Sequence, residues 1–435
     1  MKNYEEEQLE KMRKQLEKQP IPHNSLDEAI LAGFNKARSK RKKRKRSIWL
    51  SVAAAIFLIG FVTSVRVSPA FANAVASIPG FHALVEMIQW DKGLQDIVEN
   101  EYYEELNIEV IEDDITLTLL GVIADETGMI ISYRVEAPFD LQEIDTKNIT
   151  IHQNGKELEA AYSYNWFLDE PANQLEDQVE ITAARPLNYE SPNFEVQFVL
   201  NNFEQTKFNI PFTLKKEIKR SVTYPIEQII DIDGQKLTVH ELTISPLRAG
   251  ITLSINEENS MQLLTVESIQ LIDENGEEWG SILNGISGFG SNYDTMRTVF
   301  IQSNYFRKPK QLYLKIDRIQ ALPKGENYIE LDFSKKEVIH QPADLPIQIS
   351  DIDNNSFTAT IPNSSETFHH EIFLEAFDAN GKSLNFSSHS MFRDDHYMTF
   401  QPRLEIQEMA NPVKMFIHSF PNYLEGNASL KINLK

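Results

Sequence analysis

The sequence predicts a mainly β protein carried on one transmembrane helix. The expected order is short cytoplasmic helices, the span, a short helical juxtamembrane region, and about three tandem β-sandwich-like domains. Three observations predict it. Six basic residues, Arg41-Lys42-Lys43-Arg44-Lys45-Arg46, run into an apolar stretch from Ile48 to Val65 that holds no charge and no proline. From Ile115 onward, apolar and polar residues alternate between Asn-Gly and Asp-Gly turns, the pattern of antiparallel strands. Four landmarks then recur in the same order three times.

The first 47 residues hold two helical patterns. Leu9, Met12 and Leu16 fall at i, i+3, i+7, and Pro20 and Pro22 end that helix. A second opens at Ser25 with Glu28 three residues on, a capping-box arrangement, and Leu26, Ile30 and Phe34 then recur every four residues. Each stripe is too narrow to bury itself. It needs the other helix, the membrane surface or a partner protein, and these six apolar residues are the candidate partner-binding set.

Residues 48–65 form eighteen positions. At ~1.5 Å per residue that is ~27 Å of helix, against a hydrocarbon core of ~30 Å. Arg46 and Arg66 can snorkel across the shortfall. The basic block lies on the N-terminal side only, so the positive-inside rule places residues 1–47 in the cytoplasm and 66–435 outside the cell membrane. A basic run can also mark nucleic-acid binding or nuclear import, but the adjoining span accounts for it better, and no nucleic-acid partner is expected. A secretory signal peptide is the competing reading, with Ala70-Phe71-Ala72 or Ala72-Asn73-Ala74 as cleavage site. An n-region of 47 residues is far too long for one.

The formal charge of −22 is uneven: residues 1–47 hold 14 Lys/Arg against 7 Asp/Glu, and the remainder 28 against 57. A basic inner segment suits an anionic inner leaflet, whereas the acidic outer part argues against binding polyanions by bulk charge. There is no cysteine, which excludes disulfides, thiol nucleophiles and Cys-ligated zinc. The outer domains must rest on apolar cores, and some 370 residues suffice for that.

Outside the span, Ser68-Pro69 reads as an N-cap and first helical position, Pro79-Gly80 as a break, and Phe81–Trp90 and Leu94–Asn100 as helical spacing. The repeat follows. An opening hairpin begins at Ile115, Gln235 and Ser356. Asn-Gly turns stand at 154, 275 and 380, which are 121 and 105 residues apart. A late strand follows Pro192, Pro309 and Pro412, and each unit ends in one more strand, at Phe208–Leu214, Tyr328–Phe333 and Ala428–Leu434. Units of this size with many short strands fit β-sandwiches. The expected domains are 66–217, including the juxtamembrane helices, 218–338 and 339–435.

The juncture from Val67 to Tyr133 carries a family likeness. It contains Ser68-Pro-Ala-Phe-Ala72, Ile78-Pro-Gly80, an Asp91-Lys-Gly-Leu94 turn, and Ile115-Thr-Leu-Thr-Leu leading to Val122-Ile-Ala-Asp125 and Ile131-Ser-Tyr133. This resembles an uncharacterised, domain-of-unknown-function ectodomain family of single-pass, anti-sigma-factor-like membrane proteins of Gram-positive bacteria. Residues of about 220–340 resemble the domain that commonly follows in such proteins. The resemblance implies a cytoplasmic segment that holds an extracytoplasmic-function sigma factor inactive, and Leu26 to Arg38 is similar to the short helix found before the span in that family. The zinc-binding His/Cys pattern of one anti-sigma class is absent, since the chain has no cysteine.

Chemistry-bearing patterns are sparse. His369-His370 sits in an apparent strand, where alternation sends the two rings to opposite faces and away from one metal. Asp231-Ile-Asp-Gly234 and Asp351-Ile-Asp-Asn-Asn355 lack the distal Glu of a calcium loop and read as hairpin turns. Gly285–Gly290 lacks the strand and helix of a phosphate loop. No nucleophile elbow is visible, so no enzyme, cofactor or metal is expected. The expected function is a membrane-anchored regulator that holds a sigma factor through its cytoplasmic helices and senses envelope state outside, through a ligand the sequence does not name. The alternative is an envelope adhesion, scaffold or ligand-binding protein with no sigma-factor partner.

Overall fold

The computed structural model describes residues 4–16 and 91–434, apart from 167, 203–204, 283–287, 290–295, 364–367 and 406–407. The chain divides into residues 1–71 and 72–435, and each part is taken by itself. The expected span, the second cytoplasmic helix with Leu26, Ile30 and Phe34, and the basic block Arg41–Arg46 lie outside the described residues. Among the described residues, no helix is long and apolar enough to cross a membrane.

In the N-terminal part, Tyr4–Leu16 is helical, as the spacing of Leu9, Met12 and Leu16 predicts. Glu7 and Glu10 each precede a lysine by four residues, and Arg13 and Lys14 occupy the last turn, where positive charge suits the helix dipole.

The larger part is mainly β, built of antiparallel sheets that pair off around three cores. The first domain packs the sheet of Glu104–Glu112, Ile115–Asp125, Gly128–Glu136, Gln174–Ala183 and Ala160–Tyr164 against that of Lys156–Glu157, Thr146–Gln153, Asn193–Leu200 and Lys207–Thr213. Period-two alternation fixes which face is inside: Phe208, Ile210 and Phe212 point inward and their neighbours outward. The second domain repeats this order with Val222–Ile232, Gln235–Ile244, Ala249–Ile255, Met296–Ile301 and Gly288–Phe289 in one sheet. Its facing sheet begins Glu278–Trp279, Met261–Asp273, Leu312–Pro323.

The last place in that facing sheet is not taken by the next strand in sequence. Tyr328–Asp332, the expected end of the second unit, crosses into the third domain and pairs with Val413–Ile417. The chain's final strand, Tyr423–Ile432, returns and pairs with Leu312–Pro323. The second and third domains therefore exchange their closing strands, and the expected boundary at 338 is crossed in both directions. The third domain completes its sheets with Gln348–Ser350, Thr358–Pro362, Tyr397–Leu404 and Phe386–Arg393 on one side, and Glu337–His340, Phe373–Phe377 and Ser383–Leu384 on the other. Thr358–Pro362 pairs with Tyr397–Leu404, the relation that Gly128–Glu136 and Ala249–Ile255 have to their own neighbours. The sequence landmark at Ser356 thus matches the strand after the opening one.

Exchange leaves the second and third domains joined by shared interior. Leu264 and Leu322, on strands of the second domain, pack in the third core, and Leu424 and Ile432 pack in the second. A polar network runs between them. Gln320, fully buried, accepts from Phe420 N at 2.8 Å and donates to Glu267, which pairs with His370 Nε2 at 3.1 Å. The Thr265 and Ser419 hydroxyls meet at 2.9 Å. Burial, then the charges of Arg297 and His370, pushes the adjacent His418 down to about 4.

Candidate functional site

Of the expected partner-binding residues, the structure describes Leu9 and Met12 as exposed side chains, at 66% and 57% of their surface. Leu16 closes the same helix. Leu9 and Met12 thus stand exposed three residues apart on one helix.

A second site was not anticipated: the joint between the first two domains and the helix Lys92–Glu99. The Asp91-Lys-Gly-Leu94 segment, expected as a turn, is the start of this helix, and each residue has a task. The Asp91 carboxylate caps the helix by accepting from Leu94 N at 3.1 Å. Lys92 Nζ donates to the Glu278 carbonyl at 2.7 Å. Gly93 lies against the backbone of Ser303, where a Cβ would come within 2.8 Å of the amide nitrogen, so no larger residue fits. Leu94 and Ile97 are buried. Asp96, also buried, forms a two-pronged ion pair with Arg307, at 2.6 and 2.9 Å. The helix that leads out of the juxtamembrane region is therefore clamped on the second domain rather than on the first, its neighbour in sequence.

The two domains meet around Arg248. Its guanidinium is 2% exposed, pairs with Glu180 at 3.1 Å, donates to the Thr182 hydroxyl and lies over the Phe300 ring at 5.3 Å. Asp125 answers from the first domain. Its carboxylate accepts from Leu247 N at 2.7 Å and from the backbone and hydroxyl of Thr127. Ser221 N donates to Glu126 at 2.8 Å. Leu120, Ile123, Ile130, Leu247 and Phe300 are buried yet belong to none of the three cores. This explains why alternation fails along Leu120–Asp125: one face fills the sandwich and the other the joint.

Electrostatics at the joint are strained by burial. Desolvation pushes the Asp91 carboxyl up to about 6, against the pull of two backbone hydrogen bonds. It also raises Asp125 and Asp96, against the guanidinium groups beside them.

Of the remaining sequence candidates, Gly285–Gly290 lies mostly outside the described residues, and the others discussed have structural partners. His369 and His370 lie before the strand Phe373–Phe377 and not within it, and His370 holds Glu267. Asp231 caps its hairpin by accepting from Gly234 N at 2.8 Å. The Asn-Gly turns of the second and third domains share one device: Asp273 accepts from the amides of Asn275 and Glu277, and Asp378 from those of Asn380 and Lys382. Among the described residues, no group of three or more His, Asp or Glu side chains is placed to hold a metal ion.

Comparison with known proteins gives domains without assigned roles. Residues 41–137 match a domain of unknown function, DUF4179, and residues 221–349 match a family of unknown function, DUF5643. The first match spans the Asp91-Lys-Gly-Leu94 clamp and Asp125, and the second contains Arg248. No curated protein matches the chain. Among solved structures, the conserved domain protein from Bacillus anthracis aligns with a TM-score of 0.38 and 14% identity, over 55% of this chain and 84% of that one. The cycloalternan-forming enzyme from Listeria monocytogenes, solved with a pentasaccharide substrate, aligns with a TM-score of 0.14 and 8% identity, over 67% of this chain and 29% of that one. Neither likeness carries an argument about fold or function.

Proposed function

We propose that the chain is a single-pass membrane regulator of the anti-sigma type. Its N-terminal helices hold an extracytoplasmic-function sigma factor, and its β domains respond to the state of the envelope. The observation that carries this reading is the clamp. The helix Lys92–Glu99 stands between the expected span and the β domains, and it is clamped on the second domain beside that domain's joint with the first. A change at that joint acts directly on the segment that leads to the membrane. The exposed Leu9 and Met12 supply an apolar stripe in want of a partner on the other side. Residues 41–137, which hold the expected span and the clamp, match a single domain of unknown function.

The test is transcription. Leu9→Asp and Met12→Asp should each release the sigma factor and raise expression from its own promoter, because a carboxylate facing an apolar partner costs several kcal/mol when buried. Lys14→Glu, off the stripe, should change little. If complete deletion of the gene leaves every extracytoplasmic-function regulon unchanged, the regulator reading fails and an envelope adhesion or scaffold role replaces it.

A further inference from the structure

A cleft of about 680 Å³ opens beside the joint, between the first domain's Ala183–Pro186 segment and the outer face of the second domain's larger sheet. That volume is in the range of small-ligand sites. Its floor is a grid of hydroxyls. Thr223 stands opposite Thr243 on neighbouring strands, with their oxygens 3.0 Å apart, and Thr252 stands opposite Thr298. Between the rows lies Gly250, where a Cβ would sit 3.1 Å from Thr298 Cγ2 and 3.3 Å from the Phe300 ring. The absence of a side chain there is what leaves the depression open. Arg248 closes the deep end, and its Nε has no hydrogen-bond partner among the described residues although the side chain is buried.

Charge selects among ligands. Around the cleft Arg185, Arg248 and Arg297 are balanced by Glu126, Glu241 and the Glu180 that pairs with Arg248. A balanced lining gives no net attraction to an anion or a cation. What it offers is many hydroxyls that both donate and accept, with small apolar patches at Ala184, Pro186 and Met296. A sugar ring has that same mixture of hydroxyl edge and CH face. We propose that this cleft binds a neutral oligosaccharide, with the Thr252 and Thr298 hydroxyls and Glu241 reading the sugar hydroxyls and the Arg248 side chain acting as donor at the deep end. The cleft is also wired to the clamp: Ser245 lines it, Ser303 Oγ donates to the Ser245 carbonyl at 2.5 Å, and Ser303 is the residue against which Gly93 packs. This rests on the sensing reading above only for its consequence, since binding can be measured whether or not a sigma factor is held.

The experiment screens the purified full chain in detergent against neutral tetrasaccharides of gluco, N-acetylgluco, manno and galacto configuration. Polyglutamate serves as the charged comparison, and calorimetry gives the affinity. At least one neutral sugar should bind one to one. Gly250→Leu, which fills the depression, and the double variant Thr252→Val with Thr298→Val should each weaken it by about tenfold or more, a loss of ~1.4 kcal/mol. The Thr pair faces outward and keeps its shape as Val, so an unchanged thermal melt shows that the fold is intact. Binding of no neutral sugar, binding of polyglutamate instead, or sugar binding that both variants leave untouched overturns the proposal. Sugar binding with no change in sigma-dependent transcription leaves the cleft standing and removes only its coupling to the regulator.

Discussion

Arg248 and Glu180 lie 68 residues apart in sequence and 3.1 Å apart in space, each almost fully buried, one on each side of the joint between the first and second domains. A pair removed from water in this way is held more for geometry than for net stability. Leaving either charge without the other is costly. Arg248→Ala should lower unfolding free energy by ~3–5 kcal/mol, because the buried Glu180 then loses the guanidinium that offsets its charge. Arg248→Met together with Glu180→Gln should recover much of the loss. Urea unfolding of residues 72–435 measures both. An Arg248→Ala variant as stable as the parent would show that the pair is not what organises the joint.

The clamp helix should respond to pH through Asp91. Its folded value of about 6 lies above the ordinary 3.8, so the folded joint binds the proton more tightly than the free segment. The associated stabilisation is present in full below 3.8 and is lost as pH rises through 6. Amide hydrogens of Leu94–Val98 should therefore exchange faster at pH 7.5 than at pH 5, after correction for intrinsic rates. Asp91→Asn keeps a capping oxygen and should abolish most of that difference. Equal pH dependence in the variant would assign the effect to Asp96 instead.

Much of this architecture was legible and some of it could not be. Alternation and the Asn-Gly turns located the strands, because period two and a tight turn are local properties. The Asp-x-Asn-Gly spacing at 273 and 378 is the same turn used twice. The exchange of Tyr328–Asp332 for Tyr423–Ile432 was hidden, since both alternate and nothing within either encodes which sheet it completes. The joint was half visible. Asp125 belongs to the Val122-Ile-Ala-Asp125 motif, and the apolar run from Leu119 to Ala124, interrupted by Gly121 alone, signals a second buried face, but Arg248 in a Ser-Pro-Leu-Arg turn reads as a surface cation until Glu180 is brought to it. Gly93 looked like a turn residue, and only the nearness of Ser303 shows why it must be small.

Strand exchange makes the second and third domains one folding unit. Residues 218–338 alone should lack the strand that covers Leu312–Pro323, and they carry instead a strand with no sheet to join. Removing Tyr423–Ile432 withdraws Leu424 and Ile432 from the core, roughly 3–6 kcal/mol at ~1.5–3 each, before any loss of backbone hydrogen bonds. That is comparable with the stability of a whole domain. Residues 218–338 should give no cooperative melt, while 218–435 should melt in a single transition. Two separate transitions in the longer segment would refute the shared unit.

The joint between those two domains should be weakened by acid, opposite in sign to the clamp. His418 titrates near 4 when folded, against an ordinary 6.5, because it is buried and faces the charges of Arg297 and His370. Glu267, paired with His370, and Arg318 belong to the same network. A depressed histidine binds its proton less tightly in the folded protein than in the unfolded chain. Its contribution is therefore complete above pH 6.5 and is lost as pH falls toward 4, by at most about 3–4 kcal/mol at ~1.4 kcal/mol per unit. Melting of residues 218–435 should drop steeply between pH 6.5 and 4.5. His418→Asn, which cannot take up the proton, should flatten that drop even though it lowers stability at pH 7. A variant that loses stability with acid as steeply as the parent would move the cause to His389, which burial also depresses and which lies within the third domain.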